Sequence, residues 1–391
     1  MKMSRVLVVL AVAALSLPTA ARAQSQSATD IVGFLMLNQA VPTADFERDR
    51  AAADAARQTI VNALLVNLAS VPLSTSSGGF VYRINELLGT AERAGDTFGP
   101  FFVERALTPG RGHPSFGVSA ATTSFSELDG KNLRDGSLLI ISNQFRDEAA
   151  PFDTENLTLK IRTSGMTLFG SVPVTDHFEI GAALPLVRLE LDGARVTVHR
   201  GTTLAQASAQ ATASGPGDLA LRGKYVLFDE EGFGIAAAAE LRAPTGDRDN
   251  LLGAGKAGYR VSGLASYEPS HYAVHLNLGV AGGGVSNEVS LSAAGLVAVN
   301  PRVTLSGEML ARRVSELRDL DLVAAPHPTI SDVDTYRLVS GKGDNTAVHL
   351  VAGLKWNVAR TMVVGGHVRW SANHSGLTAT LTPTVAFEYA F

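Results

Sequence analysis

The residues of this chain with the most chemical potential are charged side chains recurring at every second position inside otherwise apolar stretches. The cations are Lys160, Arg162, Arg222, Lys224 and Arg242, followed by Arg260, Arg312, Lys355 and Arg369. Acids share their face at Glu179, Asp218, Glu240, Glu308 and Glu388, and so do His275, His349 and His367. Alternate positions of an extended strand point to one side. A Lys or Arg turned to lipid costs about 2–4 kcal/mol at the bilayer midplane. The spacing therefore predicts that these groups face a wet lumen. One use for them is a lattice of internal ion pairs that fills a narrow barrel. The other is a polar conduit with a mild positive bias, suited to anionic solutes such as carboxylates. The three histidines are expected to be solvated hydrogen-bonding groups, since nothing fixes the spacing of a metal site.

Other chemistry finds little support. The 391 residues include no cysteine, which removes disulfides, thiolate metal sites and a cysteine nucleophile together. No G-x-S-x-G, H-E-x-x-H or P-loop occurs. Asn373-His374-Ser375 invites a hydrolase reading, yet a His and a Ser adjacent in sequence do not normally form a triad. Pro244-Thr245-Gly246-Asp247 reads as a turn, with calcium binding through Asp247, Asp249 and Asn250 as the alternative. No catalytic residue, metal or cofactor is expected.

The elements that must carry these charges are strands. From Leu377 to Phe391 the odd positions are mostly apolar and the even ones mostly Thr, Ala and Glu. The pattern recurs at Val348–Trp356, Met362–Trp370 and Leu219–Leu227. About twelve such strands start near residues 114, 155, 176, 217, 232, 257, 271, 288, 302, 345, 360 and 377. Each is long enough for a tilted crossing of ~9–11 residues. Short connections at 173–177, 229–232, 268–270, 300–301 and 357–359 interleave with mostly long ones at 126–154, 192–216, 244–256 and 315–345. That sorting predicts an all-β, antiparallel, up-and-down transmembrane β-barrel of 12 to 14 strands, with short periplasmic turns and both termini periplasmic. Phe178, Tyr225, Phe233, Tyr267, Tyr272, Trp356, Tyr389 and Phe391 gather near the short turns, where an aromatic girdle belongs. Short strands at 80–83 and 101–104 would account for the count of fourteen.

The ends supply the address. Lys2 and Arg5, the apolar run Val6–Leu17, and Ala21-Arg22-Ala23 before Gln24 read as a signal peptide over 1–23, cleaved between Ala23 and Gln24. Without Lys2, Arg5 and Arg22 the net charge of −4 becomes about −7, and no basic domain suggests a nucleic-acid partner. Mean hydropathy is +0.14, far too low for a helical membrane bundle. Residues 24–76 are expected to be helical, with Thr43 capping a helix to Ser70 whose Ile60, Val61, Leu64, Leu65 and Leu68 share one face. That helix packs on some partner; a plug in or under the lumen is the sharper possibility. Residues 77–391 are assigned to the barrel. Tyr389 and Phe391 resemble the terminal aromatic signal read by the barrel-assembly machinery of Gram-negative bacteria.

Several motifs also carry a family resemblance. They are Ser77-Gly78-Gly79-Phe80, Phe98-Gly99-Pro100, Glu104-Arg105-Ala106-Leu107, Gly110-Arg111-Gly112 and Ser115-Phe116-Gly117. Val174-Thr175-Asp176, Gly217-Asp218 before Lys224-Tyr225, and Leu241–Asp247 extend the set. Over roughly residues 77–391 the chain resembles the outer-membrane barrel family named for the meta-pathway of phenol degradation. The resemblance implies a transporter of small hydrophobic or aromatic compounds, loosely akin to long-chain fatty-acid transporters, and it defines no substrate-contacting residue. The partners expected are outer-membrane lipid and lipopolysaccharide, the assembly machinery and small hydrophobic or aromatic solutes. The function expected is passive transport. A non-conducting structural or adhesive barrel, using the long loops as binding surfaces, is the alternative, and a barrel enzyme is a third reading.

Overall fold

The computed structural model describes residues 26–37, 40–69, 82–85, 90–93, 95–315, 317–341, 345–359 and 361–390. The signal peptide with Ala23 and Gln24, and the terminal Phe391, lie outside the described residues.

Twelve long antiparallel strands close into a barrel. They are β1 (Ser115–Leu128), β2 (Asp153–Pro173), β3 (Phe178–His199), β4 (Leu219–Glu230), β5 (Phe233–Ala243) and β6 (Gly258–Tyr267), then β7 (Tyr272–Gly283), β8 (Glu288–Asn300), β9 (Val303–Val314), β10 (Asn345–Ala359), β11 (Met362–Ser371) and β12 (Thr382–Ala390). Closure comes from β12 on β1, with Ala390 opposite Ser115 and Thr384 opposite Ala121. A closed sheet has no free edge, so every strand meets its hydrogen bonds inside the wall.

Alternation is the cause of this fold. Along β5, exposed and buried residues alternate strictly from Phe233 to Leu241. Leu227, Leu278 and Val385 are 63%, 59% and 64% exposed on the outer surface, a cost that only a lipid surround removes. Tyr267 and Tyr272 pair edge to face at 6.2 Å and Phe116 stacks on Tyr389 at 5.5 Å, all near the short turns. Tyr259 is exposed near the opposite rim.

Three expectations about the strands change. The ribbon Tyr82–Asn85 with Thr90–Arg93 is a separate two-stranded sheet, and 101–104 form no strand, so neither adds to the barrel wall. The last strand breaks at Thr380–Leu381, with Leu377–Ala379 continuing separately on β1. Pro383 lacks an N–H for a ladder there, and Thr123 bonds Thr382 side chain to side chain across the gap. The long connections are not open loops either. Strands at Lys131–Asn132, Leu138–Phe145, Thr202–Pro216, Leu320–Pro326 and Val333–Ser340 raise the wall at that end. β-branched and aromatic residues such as Ile140, Ile141, Thr202, Thr203, Val333 and Tyr336 favour strand over loop, and β3 with its neighbour simply extends past the membrane band.

Two helices fill the mouth at that raised end. In α1 (Ala28–Leu37), Ser27 and Asp30 cap each other's backbone N–H, a reciprocal capping box. In α2 (Phe46–Ala69) the carboxylate of Asp45 caps the N–H of Arg48, while Thr43, the residue expected as cap, bonds Asp49 instead. Leu35, Met36, Ile60, Leu64 and Leu65 are fully buried against Leu128, Leu138, Leu157, Leu159 and Leu189 of the wall. The two helices, packed inside the raised wall, are termed the plug. The PTGD loop receives the first turn of α1, with Thr29 N–H on the Asp249 carbonyl and Ala28 N–H on the Asn250 side chain. Its Asp247 is occupied with the N–H groups of Asp249 and Asn250, as a turn requires. The first described residues therefore sit at the raised end, whereas β1 begins and β12 ends beside the short turns.

Candidate functional site

The lumen has two lids and a chamber between them. At the short-turn end residues 95–113 cross the interior as an irregular strap. Inward side chains of the wall grip its backbone one group at a time. Asp96 N–H reaches the Ser270 carbonyl, Phe98 N–H the Thr304 hydroxyl, and Lys355 the Pro100 carbonyl. The Glu308 carboxylate accepts three consecutive N–H groups, from Phe101, Phe102 and Val103, at 2.5, 2.9 and 2.9 Å. Ser266 receives Ala106 N–H and also meets His275, while Lys224 donates to the carbonyls of Arg105 and Leu107. Arg105, 2% exposed, pairs with Glu268 at 3.0 Å, and Lys224 pairs with Glu179 at 3.0 Å. Irregular backbone at membrane depth needs such partners, because neither water nor a sheet neighbour satisfies it.

Glycines let the strap approach. A Cβ on Gly353 or Gly365 would intrude on the Phe101 ring. Phe101 lies beneath the Lys355 ammonium, 4.7 Å from its ring centre, and both Phe101 and Phe102 touch His367, at 4.4 and 4.9 Å.

Between plug and strap lie two adjoining cavities of about 90 and 160 Å³. Asn67 at the end of α2, Phe102, Arg242 and Arg369 line both. The first is polar, walled by Arg222, Glu240, Arg260, Glu288, Arg312 and His349. The second is more apolar, with Phe101, Phe125, Pro185, Leu186 and Val187 among its walls. Most chamber arginines have carboxylate partners. Arg222 meets Glu104, Arg242 meets Glu240 at 2.7 Å, and Glu288 serves Arg260 at 2.9 Å and Arg312 at 3.7 Å.

The charged residues singled out from sequence therefore divide by level. Lys224, Glu308, Lys355 and His275 hold the strap, together with Glu179. Arg222, Glu240, Arg242, Arg260, Arg312, His349 and Arg369 surround the chamber, and His367 stands at its floor. Glu388 is buried on the inner face of β12. Asp218 points inward but accepts the N–H groups of Gly246 and Ala254, pinning the PTGD loop. Lys160 and Arg162 are a correction: both are exposed on the outer face, alternating with buried Leu157, Leu159 and Ile161. At that height the interior is the plug's apolar core and the exterior is polar, so the usual sense of the alternation is reversed. Among the described residues no three His, Asp or Glu gather as a metal site. The strap itself escaped sequence reading. Its signal was a Phe-, Gly- and Pro-rich run with adjacent Glu104 and Arg105 and no alternation.

Residues 161–309 match the family model described as "Putative MetA-pathway of phenol degradation". The family read from the motifs is the family matched. The matched segment runs from β2 into β9 and includes the chamber arginines Arg222, Arg242 and Arg260. No curated protein matches the chain. Among solved structures, an outer membrane channel from Pseudomonas putida F1 is 14% identical, with a TM-score of 0.46 over 73% of this chain and 98% of that one. The P. putida toluene transporter TodX is 9% identical, with a TM-score of 0.35 over 72% and 91%. The KdgM porin is 10% identical, with a TM-score of 0.37 over 61% and 98%.

Proposed function

We propose that the protein is an outer-membrane channel that passes small hydrophobic or aromatic compounds passively, with the plug facing outward and the strap facing the periplasm. The observation that carries this reading is the chamber. A barrel built only to stand in the membrane would gain stability by packing its middle as densely as its ends. Here the two ends are filled and the middle is kept open, with one polar and one apolar wall. Six residues, among them Gly165, Leu186 and Val187, line both the apolar cavity and a groove on the lipid-facing side. The wall is thin where an apolar solute would be held.

Passage requires the plug to move. Thr59 of α2 and Ser340 of the raised wall have hydroxyl oxygens 3.2 Å apart, and the chain has no cysteine of its own. Thr59→Cys with Ser340→Cys therefore offers a clean lock. In liposomes the oxidised double variant should admit toluene or phenol far more slowly than wild type, with recovery on reduction. Equal uptake by locked, reduced and empty liposomes would overturn the channel. The second reading, a non-conducting structural barrel, draws its support from the density of strap contacts and would give that result.

A further inference from the structure

We infer that the chamber holds a binding site for a small monocarboxylate with an apolar body, anchored on Arg369; this rests on, and narrows, the channel reading. Arg369 is set apart from the other chamber arginines. Among the described residues it has no carboxylate within ion-pair distance, while Arg222, Arg242, Arg260 and Arg312 each have one. The nearby acid Asp218 is engaged by the N–H groups of Gly246 and Ala254. The chamber thus carries surplus positive charge inside the barrel, and such a charge calls for an anion.

Arg369 is also placed where that anion would gain a second interaction. It lines both cavities, so its guanidinium stands at the border between the polar and apolar walls. Its central carbon is 5.9 Å from the centre of the Phe102 ring, which steadies the guanidinium plane through a cation–π contact. A guanidinium fork binds a carboxylate through two parallel N–H bonds. The carboxylate would sit on this fork, and the body of the molecule would lie against Phe125, Leu186 and Val187. A single charge suits the site, since a second carboxylate would have to enter the apolar wall or face Glu240 and Glu288. Small pocket ligands are typically held in this way, by one or two fixed polar contacts within apolar surroundings.

The test uses the full mature chain in detergent, with benzoate and the neutral benzyl alcohol as probes, read by saturation-transfer NMR titration. Wild type should bind benzoate about tenfold more tightly than benzyl alcohol. Arg369→Gln should erase that preference and Arg369→Lys should retain part of it. Phe102→Leu should weaken both probes together. Retained heat-modifiable mobility shows that each variant is folded. Equal affinity for the two probes in wild type, or an undiminished preference in Arg369→Gln, would overturn the site. Chloride displacing benzoate at equal concentration would overturn it too, marking a site for inorganic anions only. Uptake of phenol, compared between the oxidised and reduced Thr59→Cys/Ser340→Cys variant, separates this from the channel itself. Reduction-dependent phenol uptake without benzoate preference would sink the site and leave the channel. Benzoate preference lost in Arg369→Gln, with phenol uptake equal in both states, would do the reverse.

Discussion

The two lids of the lumen are held by different balances of force. The plug is chiefly a hydrophobic core, with leucines of α1 and α2 against leucines of the raised wall, tied at its margin by Arg337 on Asp49 and by Glu155 on the N–H groups of Ala40 and Val41. The strap is held by directional polar contacts, with its backbone bonded group by group to side chains that only a barrel interior supplies. Apolar contact is non-directional and tolerates sliding. A buried hydrogen-bond array does not, because each broken bond leaves an unsatisfied group. On the proposed channel reading, the plug is therefore the lid expected to move and the strap the one expected to stay.

The largest effect should come from breaking the strap. Glu308→Ala strands three consecutive N–H groups inside the lumen and should cost about 4 kcal/mol. Urea unfolding from vesicles measures the loss, and hydrogen exchange should show Phe101–Val103 opening first. On the plug, Leu64→Ala removes a fully buried side chain and should cost about 3 kcal/mol. Here increased solute leak should accompany the loss. Leak in the Glu308 variant alone would reverse the assignment of moving and fixed lids.

The sequence exposed the barrel more readily than its filling. A twelve-stranded wall was legible because lipid outside and polar groups inside impose a period of two over most of each crossing. The strap and the level at which each charge acts were not. Glu308 and Arg369 follow the same alternation on strands β9 and β11, and nothing local says that one grips a backbone while the other faces a chamber. Lys160 and Arg162 misled for a related reason. Alternation gives two faces and leaves open which is inside, and at β2 the inside changes from wet lumen to apolar plug within a few residues. The helix at 46–69 was visible, yet the strands it packs on, Val333–Ser340 and Leu377–Ala379 among them, lie far along the chain.

Two glycines sharpen the comparison at smaller cost. A Cβ at Gly353 would strike the rigid Phe101 ring and the His367 side chain, so Gly353→Ala should cost about 1–3 kcal/mol. A Cβ at Gly193 would strike the tip of Leu35, the far end of a flexible side chain and not a rigid ring. Gly193→Ala should therefore cost about 1 kcal/mol or less, offset in part by a stiffer unfolded chain. The order of the two, read from paired urea midpoints, is the expectation. Equal costs would mean that plug and strap are equally rigid.

The smallest effect concerns pH and the plug alone. Hydrogen bonds from the hydroxyl and N–H of Ser27 hold the Asp30 carboxyl below its ordinary value of 3.8. A carboxyl lowered on folding contributes stability that is complete above the unfolded value and is lost as pH falls through the folded one. Protonation should thus loosen the first turn of α1 only below about pH 4, without touching the strap. Because Asp30 is exposed, solvent screening keeps the effect small. Hydrogen exchange of the α1 amides, corrected for intrinsic rates, should rise between pH 5 and 3 in wild type. In Asp30→Asn it should already be high at pH 5 and change little below. A parallel rise at Phe101–Val103 would show instead that the two lids open together.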